Sequence, residues 1–238
     1  MPTNLDAFMK ARYRFACDAI PAGSRVLGIG AGTGLSRDYL PGVELVDTDI
    51  VPTPWIDLVC DGQVLPFADG SFDAAVAMAV LHHLPFPLNG LKEIARVVRE
   101  GGRVCIQEPH ASLTLRALLA VFRHEHVDFS VNPFGTESSL SRQLGPDDGN
   151  NAIGDLLFAD KGRFEQAVPQ FKVVHHRFRH FLLYLNSGGL AGELFHVPLA
   201  QPILKMIRRM DDGLCGFAPG LFATCQEIVL ERVRDSGA

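Results

Sequence analysis

In the first half of the chain, short apolar runs alternate with helical segments, and this restricts the fold more than any other feature. The runs cover residues 25–29, 43–46, 56–60, 72–80 and 103–107. Most are apolar without strict alternation, as expected of strands covered on both faces. Ahead of them Phe8, Ala11, Phe15, Ala16 and Ile20 recur at helical spacing, and Pro21-Ala22-Gly23 stops that helix. Leu88, Leu91, Ile94, Ala95 and Val98 mark an amphipathic helix, expected to end at Gly101-Gly102. The pattern predicts an α/β domain with a parallel sheet wound on both sides. With 238 residues and 47% hydrophobic side chains, one such domain can bury a full core.

The second half is less regular. Residues 111–122 and 152–168 read as helices, 171–183 and 221–233 as strands, and 190–210 as mostly helical. Residues 125–151 are polar and rich in turn formers and read as a long loop, of the length usual for functional lids or mobile segments.

The first strand runs directly into Gly28-Ile29-Gly30-Ala31-Gly32-Thr33-Gly34. Glycines there let a ligand lie against bare main chain. A dinucleotide pattern G-x-G-x-x-G would need glycine where Thr33 or Leu35 stands, so a nicotinamide oxidoreductase is disfavoured. The second strand ends in Val46-Asp47-Thr48-Asp49-Ile50, where a carboxylate can accept from sugar hydroxyls. Asp49 is the first choice for that role; Asp47 lies on the same strand face and is the alternative.

Gly30-x-Gly32-x-Gly34 resembles the first motif of the class I S-adenosylmethionine-dependent methyltransferases, of the type 11-like kind. Further blocks match that family in order: 59–67 (Val-Cys-Asp-Gly-Gln-Val-Leu-Pro-Phe), 69–84, 93–102 and Glu108-Pro109-His110. The resemblance spans about residues 24 to 110. It implies a Rossmann-like, mostly parallel seven-stranded sheet with helices on both faces and a lid region inserted in the C-terminal half. Residues 24–110 would then hold the cofactor and residues 111–238 the acceptor, within one domain. The implied cofactor is S-adenosylmethionine. Gly28, Gly30, Ala31, Gly32 and Gly34 would line its methionine end, and Asp49 and Ile50 its ribose. Asp61 would accept from the adenine amino group, with Gly62, Gln63 and Ala79 completing the pocket.

One position departs from the pattern. Most relatives carry Asp or Glu where this chain has Gly28, facing the cofactor's amino group. Its loss removes a charge-assisted hydrogen bond, on the order of 1.5–3 kcal/mol. Gly28→Glu is therefore expected to tighten cofactor binding, provided the pocket has room. The same departure admits a second reading, a non-catalytic binding or scaffolding protein that keeps the fold.

Methyl transfer needs a base only when the nucleophile carries a proton. Acceptor-side candidates follow the fourth and fifth strands: His82, His83, Glu108, His110 and the run His124-Glu125-His126-Val127-Asp128. Among these, His82, His110 and His126 are the catalytic candidates, since imidazole titrates near neutral pH. His124 and His126 are two ligands without an evident third, so no metal is expected. Residues 181–203 are apolar, which fits core packing, a hydrophobic acceptor pocket, or contact with a membrane carrying a lipidic acceptor. The implied partner is a small, hydrophobic or lipid-linked acceptor. Nucleic acid is disfavoured, because 22 basic against 27 acidic residues leave a formal net charge of −5. Five cysteines without a C-x-x-C spacing indicate neither disulfides nor zinc. With no signal-peptide core at the amino terminus and no apolar stretch of spanning length, a soluble, cytoplasmic protein is the expectation.

Overall fold

A computed structural model describes residues 3–122, 125–140, 149–188 and 196–234. Seven strands form one sheet in the order β3-β2-β1-β4-β5-β7-β6. They are β1 (Arg25–Ile29), β2 (Glu44–Asp49), β3 (Leu58–Val59), β4 (Phe72–Met78), β5 (Val98–Pro109), β6 (Phe171–Arg179) and β7 (Cys225–Arg232). β1 lies parallel between β2 and β4, while β7 runs antiparallel to both β5 and β6. The chain order reverses at β1 and β4, so the sheet opens a crevice at the carboxyl end of β1.

Side chains alternate across the strands and feed two cores. Leu27, Ala75, Val104 and Ile106 face one side with Ile94 of α3 (Pro87–Val97), Ile153 of α5 (Ile153–Phe158) and Phe164 of α6 (Lys161–Ala167). Val26, Val76 and Cys105 face the other side with Phe8 and Phe15 of α1 (Thr3–Ala19) and Leu204 of α8 (Gln201–Phe217). The remaining helices are α2 (Ser36–Tyr39), α4 (Leu113–Phe122), α7 (Leu182–Leu185) and α9 (Pro219–Phe222). Buried Asn4 ties α1 to the segment after α7, donating to the carbonyls of Asn186 and Val197 at 3.0 and 2.7 Å.

Several boundaries differ from the expectation. The helix over 87–97 does not run to Gly101-Gly102; Val98 is already extended, and Gly101, at φ +75°, sits in a wide irregularity of β5. The helix expected at 152–168 is two, because Asp160 caps a second start by accepting from the Arg163 amide at 3.0 Å. The strand expected at 171–183 stops at Arg179, where His180 takes φ +62° and the chain turns into α7. The strand expected at 221–233 begins only at Cys225, after the turn of α9. Of the expected 190–210 helix, 201–210 belongs to α8, and residues 190–195 lie outside the described residues. Among the described residues no helix is long and apolar enough to cross a membrane.

His180 carries a pH dependence. Its ring is buried edge-on against Phe8, with ring centroids 5.1 Å apart. Burial, with the charges of Arg12, Arg179 and Arg208, holds its pKa down to about 3. In the unfolded chain it protonates near the ordinary value of about 6.5. The unfolded state therefore binds more protons below that pH, and stability falls on acidification by up to about 1.4 kcal/mol per pH unit. Buried Glu227, raised to about 7, acts in the opposite sense and lies 3.7 Å from His180 Nε2, so the comparison is made in a Glu227→Gln background. Urea unfolding at pH 7 and pH 5 should show His180→Gln losing less stability than the parent. Equal losses would contradict this account.

Candidate active site

The glycine turn closes the carboxyl end of β1. Gly30 has φ +63°, and a Cβ there would lie 2.5 Å from Val80, so only glycine fits. The turn is pinned from β2: the Ala31 amide donates to the Thr48 carbonyl at 3.0 Å and the Gly32 amide to the Asp49 carboxylate at 2.8 Å. Trp55 donates its indole N–H to the Gly32 carbonyl at 2.6 Å, and the Gly34 amide donates to the Ala31 carbonyl at 2.6 Å. Asp49 thus stands at the turn, with its other oxygen accepting from the Val51 amide at 2.9 Å.

Asp47 lies beneath the turn. It pairs with Gly28 in the β1–β2 register and is fully buried. Its carboxylate accepts from the Ser36 hydroxyl at 2.9 Å and meets the Arg37 guanidinium at 3.1 Å. Burial raises its carboxyl pKa, opposed by those two partners. A Cβ at position 28 would stand 2.1 Å from Asp47 Oδ1. The room on which the expected gain from Gly28→Glu depends is therefore not there. A carboxylate does occupy that space, but it arrives from the neighbouring strand.

Met9, Arg12 and Tyr13 of α1, with Gly28, Gly30 and Asp47, line a cavity of about 190 Å³ under the turn. Arg12 is buried, and its Nε has no hydrogen-bond partner in the protein. A second cavity of about 280 Å³ is lined by Phe8, His82, His83, Leu115, Leu119 and Tyr184, among others. Both cavities include Arg12 and Ala79 in their walls. Ala79 has φ +63°, a conformation costly for a residue with a Cβ, which marks the seam between the cavities as tightly determined. A wider hollow, about 680 Å³, is an arginine- and acid-lined cleft between α1, α8, β6 and β7 that shares no residue with the turn cavity.

The other expected cofactor residues lie along the same sheet edge. Ile50 is exposed. Asp61 accepts from the Gln63 amide at 2.8 Å, and Gln63 Oε1 accepts from the Phe86 amide at 3.0 Å. Gly62 abuts Ile29, and neither it, Asp61 nor Gln63 lines the turn cavity. Their loop is held by α3: Glu93 accepts from the Leu65 amide at 2.9 Å, and Arg96 donates to the Leu65 and Phe67 carbonyls at 2.8 and 2.7 Å.

Of the three catalytic candidates, His82 alone reaches the second cavity. It is buried in a 3₁₀ turn, Leu81–His83, directly after β4. Buried Glu108, at the end of β5, accepts from the Val80 and Leu81 amides at 2.9 and 2.8 Å and lies 2.7 Å from His82 Nδ1. Burial lowers the His82 pKa, but Glu108 and Glu125 outweigh it and raise it to about 9. His110 instead binds Asp155 at 2.6 Å and packs on Phe178, outside both cavities. His126 pairs with Asn150 through the backbone and lines neither cavity. His124 lies outside the described residues. His175 and His176 sit in β6, the latter 2.8 Å from Gln226.

The loop after α4 folds back over this end. The Asn150 amide donates to the His82 carbonyl at 2.9 Å and the Ser139 amide to the Pro85 carbonyl at 2.7 Å. Its residues 141–148 lie outside the described residues. Glu125 is oriented by Asn151 at 2.9 Å. The sequence reading missed Arg12 and the placement of Asp47. Its one available signal was a charged residue on the apolar stripe of α1, four residues from both Phe8 and Ala16.

The strand order, the antiparallel β7 and a glycine turn backed by carboxylates of β2 define the class I methyltransferase fold. Residues 27–106 match the family model described as a methyltransferase domain. The chain is 38% identical over 109 residues to a demethylmenaquinone methyltransferase of Beutenbergia cavernae, covering 40% of this chain and 45% of the relative. It is 36% identical over 100 residues to the tRNA (carboxymethyluridine(34)-5-O)-methyltransferase ALKBH8 of Mus musculus, covering 37% of this chain and 15% of that one. The chain spans about half the length of the demethylmenaquinone methyltransferases it matches. In three dimensions it is similar to a SAM dependent methyltransferase from Archaeoglobus fulgidus, with TM-score 0.53 and 16% identity over 94% of this chain and 93% of that one.

Proposed function

We propose that the chain transfers a methyl group from S-adenosylmethionine to a small hydrophobic or lipid-linked acceptor. The observation that carries this reading is the pair of adjoining cavities, one under the glycine turn and one beside it, sharing Arg12 and Ala79. The residues present fit the cofactor's charged end. The orphaned, buried Arg12 Nε suits a carboxylate, and Asp47 suits an ammonium group, each charge-assisted bond contributing on the order of 1.5–3 kcal/mol. Asp47 thereby supplies the acid that position 28 lacks, and the feature that favoured a non-catalytic scaffold loses its force. Asp49 would take the ribose, and the open edge at Ile50, Asp61, Gly62 and Gln63 the base.

The cofactor supplies an already activated methyl group, so the task left to the protein is positioning, which is able to provide roughly 7–11 kcal/mol of the barrier. The walls of the second cavity do this: Phe8, Leu115, Leu119 and Tyr184 give an apolar seat, and Glu108 fixes His82 at its polar end. The curated relatives named for demethylmenaquinone support an apolar acceptor. So does α8, whose exposed Ile203, Met206, Met210 and Phe217 form a stripe beside Lys205 and Arg209, suited to an anionic membrane surface.

The test is transfer of tritium from S-adenosyl-[methyl-³H]methionine to reduced demethylmenaquinone in detergent, read as label extracted into organic solvent. Label there is expected. Its absence from protein that still binds S-adenosylhomocysteine would overturn the acceptor class alone.

A further inference from the structure

At the polar end of the second cavity the adjacent His82 and His83 of the 3₁₀ turn meet Glu125 from the loop after α4. We infer that they form a divalent metal site of the two-histidine, one-carboxylate kind, taking a transition cation such as zinc, cobalt or ferrous iron. One ligand atom from each lies within 4.8 Å of the others. His82 Nε2 is 3.4 Å from one Glu125 oxygen and His83 Nε2 is 3.6 Å from the other.

These separations are longer than the usual charge-assisted hydrogen bond and suit ligands of one ion. Charge-assisted N–H···O bonds close to about 2.7–2.9 Å. The other nitrogen of the same His82 ring does so, at 2.7 Å from Glu108. Two atoms each about 2.1 Å from one tetrahedral ion stand about 3.4 Å apart, the spacing seen on the Nε2 side.

The surroundings are those of a built site. A histidine that binds metal through one nitrogen commonly donates the other N–H to a carboxylate, which fixes tautomer and ring orientation. Glu108 does this for His82, and is itself fully buried and held by backbone amides. Asn151 orients Glu125 in the same way, at 2.9 Å. Three protein ligands leave a position for an oxygen of the acceptor, in a cavity that also contains Ala79 at the cofactor seam. The site stands on its own geometry and does not depend on the methyl-transfer reading.

The full chain, stripped with EDTA and gel-filtered, is titrated with Co(II). One equivalent should bind saturably, with visible ligand-field absorption that Zn(II) abolishes. Glu125→Gln and His83→Gln, at partly exposed positions, should each weaken cobalt binding at least tenfold while melting as the parent does. A parent that binds no cobalt, or two well-folded variants that bind it as the parent does, would overturn the assignment. Should either variant fail to fold, Asn151→Ala serves instead, with cobalt binding about tenfold weaker expected.

Discussion

Gly28→Glu is expected to lower the melting temperature sharply and to abolish cofactor binding, although adding that acid copies the common family pattern. Any Cβ at this position meets Asp47 Oδ1 at 2.1 Å. The carboxylate has nowhere to retreat, being held by Ser36 and Arg37 and fully buried. Overpacking of this kind costs about 1–3 kcal/mol. A second buried carboxylate without a partner adds about 1–3 kcal/mol more. Together they remove a large part of a stability that is typically about 5–15 kcal/mol. Gly28→Ala isolates the steric part and should cost less. Exchanging the two positions, Gly28→Asp with Asp47→Gly, should recover most of the loss, because one acid then serves the same space. Thermal melts of the four proteins check this. A single variant melting with the parent would show that Asp47 moves aside freely.

The second large effect concerns the amino-acid end of the cofactor. Arg12→Gln and Asp47→Asn should each weaken S-adenosylhomocysteine binding by roughly ten- to a hundred-fold, the equivalent of one charge-assisted hydrogen bond. Neither should change the affinity for 5′-methylthioadenosine, which shares the nucleoside but has no amino-acid end. That comparison separates a binding role from general damage, since a distorted pocket would weaken both ligands alike. Calorimetry with the two ligands gives the answer. Equal losses for both would remove Arg12 and Asp47 from the cofactor site.

The first half of the fold was legible because it is written in local signals. Apolar runs of strand length, a glycine turn after the first of them and a carboxylate closing the second are all contained within 25 residues of chain, from Arg25 to Asp49. Pairing partners were not legible in the same way. Gly28 and Asp47 are 19 positions apart, and only the β1–β2 register shows that the missing acid and the extra one share a single space. Arg12 carries no local signal beyond a charge on the apolar stripe of α1, and the cavity it faces forms only when α1 packs on the sheet. His110 and His126 were attractive on residue type and position. The fold turns His110 toward Asp155 and ties His126 to Asn150, and neither lines the second cavity. Glu125 joins His82 and His83 only because the loop beyond α4 folds back across the end of β4.

A crystal structure grown with S-adenosylhomocysteine tests the central claim most directly. Density should show the amino-acid end between Arg12 and Asp47, the ribose on Asp49, and the sulfur toward Ala79 at the seam of the two cavities. A turn cavity filled by protein side chains, or a nucleoside bound elsewhere on the sheet edge, would contradict the account.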